Sequence, residues 1–174
     1  TRFKIAESET MNILELLQSG SEVLKFNKIK THQLDSEVVL SNLLKKQREN
    51  LIVNSDQRIS ETNILNFKKL IARRANKEPL AYILKNKEFW SKDFFVDRST
   101  LIPRPETELL CENIIKIFKN KDPYILDIGT GSGCIVLSIL TELRRAKGVG
   151  IDISRKAIDI AKKKGIKVVE RKIK

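Results

Sequence analysis

The chain has 174 residues, of which 41% are hydrophobic and 32% charged, a composition typical of one ordinary domain or of one domain with a small appendage. Seven glycines and four prolines are too few for a collagen-like or low-complexity chain, and no uncharged apolar run approaches the roughly 20 residues that span a bilayer. Two cysteines and one histidine cannot supply a structural zinc cluster or a disulfide framework, so we expect no metal site.

The net charge of +12 has much of its basic excess near the carboxyl end. Beyond Ser154, only Asp159 and Glu170 oppose the basic residues Arg155, Lys156, Lys162, Lys163, Lys164, Lys167, Arg171, Lys172 and Lys174. A solvated helix face accounts for this segment better than contact with RNA. Net charge affects solubility and the rate at which charged molecules associate, but it does not by itself indicate a binding or catalytic site. The first nine residues lack the apolar segment of a secretory signal. We therefore expect a cytoplasmic protein with no membrane partner.

Residues 1–78 are predicted to form a small helical domain. Their apolar residues recur at spacings of three and four, which is typical of the core of a helical bundle. The three stripes are Ile13, Leu14, Leu17, Val23 and Leu24; Leu34, Val38, Val39, Leu43 and Leu44; and Ile64, Leu65, Phe67, Leu70 and Ile71. Ser60 is a candidate N-cap and Gly20 a candidate helix end.

Residues 79–103 are predicted to form a structured linker. Aromatic and β-branched residues lie on both sides of a polar stretch at 91–93, which indicates a β-hairpin. The segment that follows, residues 100–108, is called the proline strap here. Prolines at 103 and 105 exclude both a helix interior and a central strand. We therefore expect a stiff, extended strap, with a helix that can begin from Glu106 onward.

Residues 104–174 are predicted to contain the first part of a Rossmann-like domain. A strand at 125–128, a glycine-rich turn, a helix, a second strand at 148–153 and a helix beginning near Ala157 follow one another, and 166–169 could form a third strand. This alternation predicts a parallel sheet, of which the chain holds about half. The predicted fold class is α/β, with a small N-terminal helical domain, a β-hairpin linker and a partial Rossmann-like sheet.

The glycine turn, residues 129–133, indicates a nucleotide-like ligand, because glycines between a strand and a helix let backbone N–H groups approach it. Its spacing lacks the lysine of a triphosphate-binding loop and differs from the dinucleotide pattern. Asp127 would repel a pyrophosphate but favour the ammonium and sulfonium groups of S-adenosylmethionine. Asp152 follows the second strand, where it could accept hydrogen bonds from ribose hydroxyls. The alternative role for both acids is capping of a turn or helix. The candidate cofactor-binding residues are Asp127, Gly129, Thr130, Gly131, Ser132, Gly133 and Asp152.

Residues 78–84, 88–90, 101–108 and 125–135 together closely resemble the HemK/PrmC family, in register from about residue 8 to about residue 165. The resemblance implies methylation of the side-chain amide nitrogen of a glutamine in class 1 peptide chain release factors, with S-adenosylmethionine as cofactor. It also implies a class I methyltransferase fold whose helical domain engages the release factor. The candidate residues on the proline strap, which could contact substrate or stabilise the strap, are Pro103, Arg104, Glu106 and Glu108.

The family's Asn-Pro-Pro-Tyr motif does not occur, because the 174 residues contain no Asn-Pro dipeptide. In the family, the Asn side chain and the following Pro carbonyl hold the amide and aim its nitrogen at the methyl group. The catalytic residues are therefore unknown, and we expect a fragment of a longer enzyme, inactive alone, rather than a remnant. Two other functions stay open. One is a nucleic-acid amino-methyltransferase, which the proline strap argues against; the other is a non-catalytic module that binds the cofactor or a release factor.

Overall fold

The computed structural model describes residues 10–163, which divide into two compact units between Leu84 and Lys85. The first unit is helical. Within its described residues the helices are α1 (Ile13–Phe26), α2 (His32–Leu44), α3 (Arg48–Val53), α4 (Glu61–Ala75) and α5 (Leu80–Leu84). Two N-caps begin the longest helices: Asn12 forms a capping box with Glu15, and the Ser60 hydroxyl accepts from the Asn63 N–H, as predicted.

The core of the first unit comes from α1, α2 and α4, with Ile13, Leu16, Leu24, Val39 and Leu40 fully buried. Arg74 on α4 donates to the buried carboxylate of Asp35 on α2 at 2.6 Å, which ties these two helices together. A groove of about 460 Å³ opens on the same unit. It is lined by Leu14, Leu17, Gln18, Ser21, Gln33, Glu37, Leu51, Ile52 and Ser55.

Two expectations for this part of the chain differ from the structure. Gly20 does not end a helix; it lies buried inside α1, because the missing side chain leaves room for the Phe67 ring and the Ser36 hydroxyl. The helical unit extends to Leu84 rather than to residue 78, because residues 80–84 form α5 and bury Ile83. The first residues of the predicted hairpin linker, 80–84, are therefore helical.

The second unit begins with a hairpin. Its strands are β1 (Lys87–Phe89) and β2 (Lys92–Phe94), paired antiparallel with Lys87 opposite Phe94. The turn is Trp90–Ser91 rather than residues 91–93. The proline strap is not extended throughout, since Pro105–Thr107 forms one turn of 3-10 helix that leads into α6 (Glu108–Phe118). A proline fits there because the first residues of a helix have no intrahelical partner for their N–H groups.

The rest of the unit consists of β3 (Tyr124–Ile128), α7 (Cys134–Glu142), β4 (Lys147–Ile151) and α8 (Arg155–Lys163). β3 and β4 pair in parallel, with Tyr124 opposite Lys147 and Ile128 opposite Ile151. Parallel neighbours joined by a helix are the unit from which Rossmann-like sheets are built. The second strand thus ends at Ile151 rather than at 153, and the predicted third strand at 166–169 lies outside the described residues.

Among the described residues, helices cover one face of this two-stranded sheet, whereas side chains on the other face are exposed. Ile125 packs with Val136 on α7 and Ile158 on α8, and α7 also packs with α6 and the hairpin around Phe89 and Phe94. Tyr124, Leu126 and Ile128 alternate with those inward residues and are 81%, 59% and 65% exposed. In a complete doubly wound sheet, helices cover both faces. Among residues 10–163, no helix is both long and apolar enough to cross a membrane.

Candidate functional site

The glycine turn leaves the carboxyl end of β3 and enters α7, and all three of its glycines have positive φ: 77° at Gly129, 55° at Gly131 and 80° at Gly133. A Cβ added at Gly129 would meet no atom within 4 Å, and one at Gly131 would meet only the Gly129 carbonyl oxygen, at 4.0 Å. The outer part of the turn is therefore open to a ligand. Glycine supplies the left-handed backbone there without a side chain that would fill this space.

The turn is fastened to the end of β4 by hydrogen bonds. The Gly129 and Thr130 N–H groups donate to the Ile151 carbonyl at 2.8 and 3.0 Å. The Gly131 N–H donates to Asp152 Oδ2 at 2.9 Å, and the other carboxylate oxygen accepts from the Ser154 N–H at 2.8 Å. Asp152 is half-buried and so faces both the protein and solvent. The carboxylate thereby braces the turn, while oxygen lone pairs that these two bonds leave over can accept from a ligand.

Asp127 serves the start of α7. Its Oδ2 accepts from the Thr130 hydroxyl at 2.8 Å, and it also receives the Val136 N–H. The N-cap residue of α7 is Gly133, which has no side chain. Asp127, on the preceding strand, therefore supplies the acceptor oxygen that an N-cap side chain usually provides. Burial raises the pKa of Asp127, the bonds from Thr130 and Val136 lower it, and the charge of Asp152 raises it.

The other candidate residues of the turn differ in accessibility. Thr130 is 5% exposed and Ser132 is 2% exposed, and Gly133 is also buried. Gly129 is exposed and Gly131 half-buried. A ligand in the open space would therefore meet backbone at Gly129 and Gly131 and the carboxylate of Asp152. Thr130 and Ser132 belong to the interior of the turn.

The four candidates on the proline strap have different environments. Pro103 is buried, whereas Arg104 and Glu106 are exposed. Glu108, the first residue of α6, is half-buried and its Oε1 accepts the Trp90 N–H at 2.8 Å. Arg104 and Glu106 are thus the strap side chains whose charges are most accessible to another molecule.

Two buried thiols lie behind the site. Cys111 on α6 is fully buried, and Cys134 is 8% exposed in the first turn of α7. Burial, followed by the charges of Cys134, Glu108 and Asp127, raises the pKa of Cys111 to about 11. Burial also raises the pKa of Cys134. Both thiols remain protonated and unreactive at neutral pH, and they pack as small apolar groups.

Two residues of this region were absent from the sequence-based candidates. Ser154 donates its N–H to Asp152, and its hydroxyl accepts from the Ala157 N–H at 3.3 Å to cap α8. A serine just before a helical pattern is a recognised N-cap signal. Trp90 donates its backbone N–H to Glu108 and its indole N–H to Glu142 at 3.1 Å. No local sequence pattern predicts these two contacts. In the described part of the chain, no three His, Cys, Asp or Glu residues could together hold a metal ion.

The family model described as "PrmC N-terminal domain" matches residues 15–84. The chain is 38% identical over 160 residues to a release factor glutamine methyltransferase of Leptospira interrogans, covering 91% of this chain and 56% of that protein. It is 43% identical over 131 residues to a protein of the same name from Buchnera aphidicola, covering 75% of this chain and 47% of the relative. A bifunctional methyltransferase of Rickettsia conorii is 34% identical over 181 residues, covering 90% of this chain and 34% of that protein.

The chain therefore spans about half the length of the release factor glutamine methyltransferases that it matches. Among solved structures, coclaurine N-methyltransferase bound to N-methylheliamine and SAH matches with 13% identity and a TM-score of 0.38, covering 90% of this chain and 50% of that one. A likeness of that size assigns no ligand to this chain.

Proposed function

We propose, from the premise that this chain belongs to the HemK/PrmC family, that it is the cofactor-binding part of a release factor glutamine methyltransferase. The observation that carries the proposal is the open glycine turn between Asp127 and Asp152, in a chain whose helical unit matches the PrmC N-terminal domain. The reaction is transfer of a methyl group from S-adenosylmethionine to the side-chain amide nitrogen of a glutamine.

The residues of the turn fit this cofactor. Gly129 and Gly131 leave space for a ligand against the backbone, and Asp152 stands beside that space with both carboxylate oxygens held in place. We assign Asp152 to the ribose hydroxyls and the backbone at Gly129–Gly131 to the rest of the ligand. Asp127 adds negative charge near the turn, which suits a cationic sulfonium better than a pyrophosphate. When bound, the cofactor supplies the methyl group; this chain's residues bind and orient it.

The partner is a class 1 peptide chain release factor, which we assign to the helical unit on the basis of its match to the PrmC N-terminal domain. Translation termination takes place in the cytoplasm, so we place the protein there. Within the described residues the basic segment is represented by exposed side chains of α8, such as Arg155 and Lys156. These suit a solvated helix face, and we assign no RNA to them.

Methyl transfer is tested by incubating the chain with labelled S-adenosylmethionine and a class 1 release factor. We expect no incorporation by the 174 residues alone. An amide nitrogen is a weak nucleophile, and loss of one preorganised hydrogen-bonding group already costs about 10²–10³ in rate. We expect incorporation by a longer chain that continues at its carboxyl end through an Asn-Pro-Pro-Tyr motif.

The control is a release factor in which the target glutamine is replaced, which should accept no label from the extended chain. Label that appears in both release factors would contradict the proposed glutamine specificity. Glutamine-dependent labelling by the 174 residues alone would show that the amide is held by residues of this chain. Arg104 and Glu106 on the strap would then be the first to substitute.

A further inference from the structure

The hairpin turn adopts a backbone conformation that its sequence does not favour. Trp90 has a φ of 52° and Ser91 a φ of 53°, so both residues of this two-residue turn are left-handed. Turns of this kind prefer Asn-Gly or similar pairs, and a bulky residue at positive φ is uncommon. Contacts outside the hairpin must therefore hold the turn in place.

Two carboxylates contact Trp90. Glu108 Oε1, on α6, accepts the backbone N–H at 2.8 Å in a partly buried setting, and Glu142 Oε1, on α7, accepts the indole N–H at 3.1 Å in an exposed one. The backbone bond is shorter and less accessible to water, so it contributes more to holding the turn. Hydrophobic contacts support it, because the neighbouring Phe89 is 1% exposed and packs within the same cluster as α6 and α7.

We infer that Glu108 is a positioning residue whose carboxylate fixes the Trp90–Ser91 turn, and that it does not contact substrate. Its side chain is directed at the hairpin, unlike those of Arg104 and Glu106, which lie exposed on the same strap. Through this bond the end of the proline strap is fastened to the hairpin. Trp90 in turn links the first residue of α6 to the last residue of α7, the helix that the glycine turn begins.

The test measures, by NMR, the rate of hydrogen exchange of the Trp90 backbone N–H in the whole chain, without cofactor or release factor. Glu108→Ala should speed exchange at Trp90 by about tenfold or more, because the donor loses its acceptor. Glu108→Gln should restore most of the protection, because the carboxamide oxygen can still accept an N–H. Glu106→Ala is the matched control and should leave exchange unchanged. Fluorescence of Trp90, the single tryptophan, gives a second signal, which should change in Glu108→Ala and not in Glu106→Ala.

A second background guards against failure of Glu108→Ala to fold. Ser91→Gly relieves the positive φ at one turn position, since glycine adopts it readily. In that background Glu108→Ala should fold and should still speed exchange at Trp90, by a smaller factor. Unchanged exchange at Trp90 in both backgrounds, or equal effects of Glu108→Ala and Glu108→Gln, would overturn the inference. None of these measurements depends on methyl transfer, so they stand apart from the test of the proposed function.

Discussion

Replacement of Asp152 by alanine tests the cofactor site most sharply. The carboxylate holds the Gly131 N–H at 2.9 Å and the Ser154 N–H at 2.8 Å, and we assign the ribose hydroxyls to it. A hydrogen bond to a charged group contributes about 1.5–3 kcal/mol, and an unpaired polar group costs about 1–3 kcal/mol. We expect binding of S-adenosylhomocysteine to weaken by about 1–3 kcal/mol, which is roughly a 5- to 150-fold rise in Kd.

Isothermal titration calorimetry of the whole chain measures this change. Asp159→Ala, an exposed acid on α8, is the matched control and should bind like the unaltered chain. The Kd of Asp152→Asn should lie between those of Asp152→Ala and the unaltered chain. The amide keeps one acceptor oxygen, but its NH2 group faces one of the two N–H donors that the carboxylate accepts. A Kd for Asp152→Ala within twofold of the unaltered chain would refute the assignment of the ribose to this carboxylate.

Three further predictions concern the fold. Limited proteolysis should cleave near residues 85–92 or 120–121 before it cleaves within the helices of the first unit, and even cleavage throughout residues 10–78 would count against a folded helical unit. Folding raises the pKa of the Cys111 thiol from 9.0 to about 11, so this thiol should leave the free energy of unfolding unchanged below about pH 9 and lower it as pH rises from about 9 to about 11. Urea denaturation should show a shallower fall over that range in Cys111→Ala. Gly20→Ala should lower the free energy of unfolding by about 1–3 kcal/mol in the same assay, because the new Cβ would lie 2.6 Å from the Phe67 ring. Unchanged stability would show that α1 and α4 can separate to admit the methyl group.

The sequence was most informative where structure is local. Ser60 begins α4 because its own hydroxyl accepts an N–H three residues on, a contact that needs no other part of the chain. The strand, turn and helix around Gly131 follow from hydrophobic runs and glycine spacing for the same reason. Short elements were harder to predict, because α3 and α5 have six and five residues and so display less than two turns of periodicity.

Contacts between distant residues could not be predicted. Glycine commonly ends a helix, and on that basis Gly20 was predicted to end one. In the tertiary fold, however, the Phe67 ring packs against Gly20, and no local sequence pattern predicts that contact. The brace between Gly131 and Asp152 spans 21 positions, and the bond between Trp90 and Glu108 spans 18. Each depends on where two elements meet, which neither local pattern nor propensity encodes.

The most direct test of the central claim is calorimetric titration of the 174-residue chain with S-adenosylhomocysteine and, separately, with NAD. The geometry of the glycine turn predicts one site for S-adenosylhomocysteine and binding of NAD at least about tenfold weaker, because the carboxylate of Asp127 beside the turn disfavours a pyrophosphate. Binding of NAD as tight as or tighter than that of S-adenosylhomocysteine, or no binding of S-adenosylhomocysteine by the folded chain, would contradict the claim.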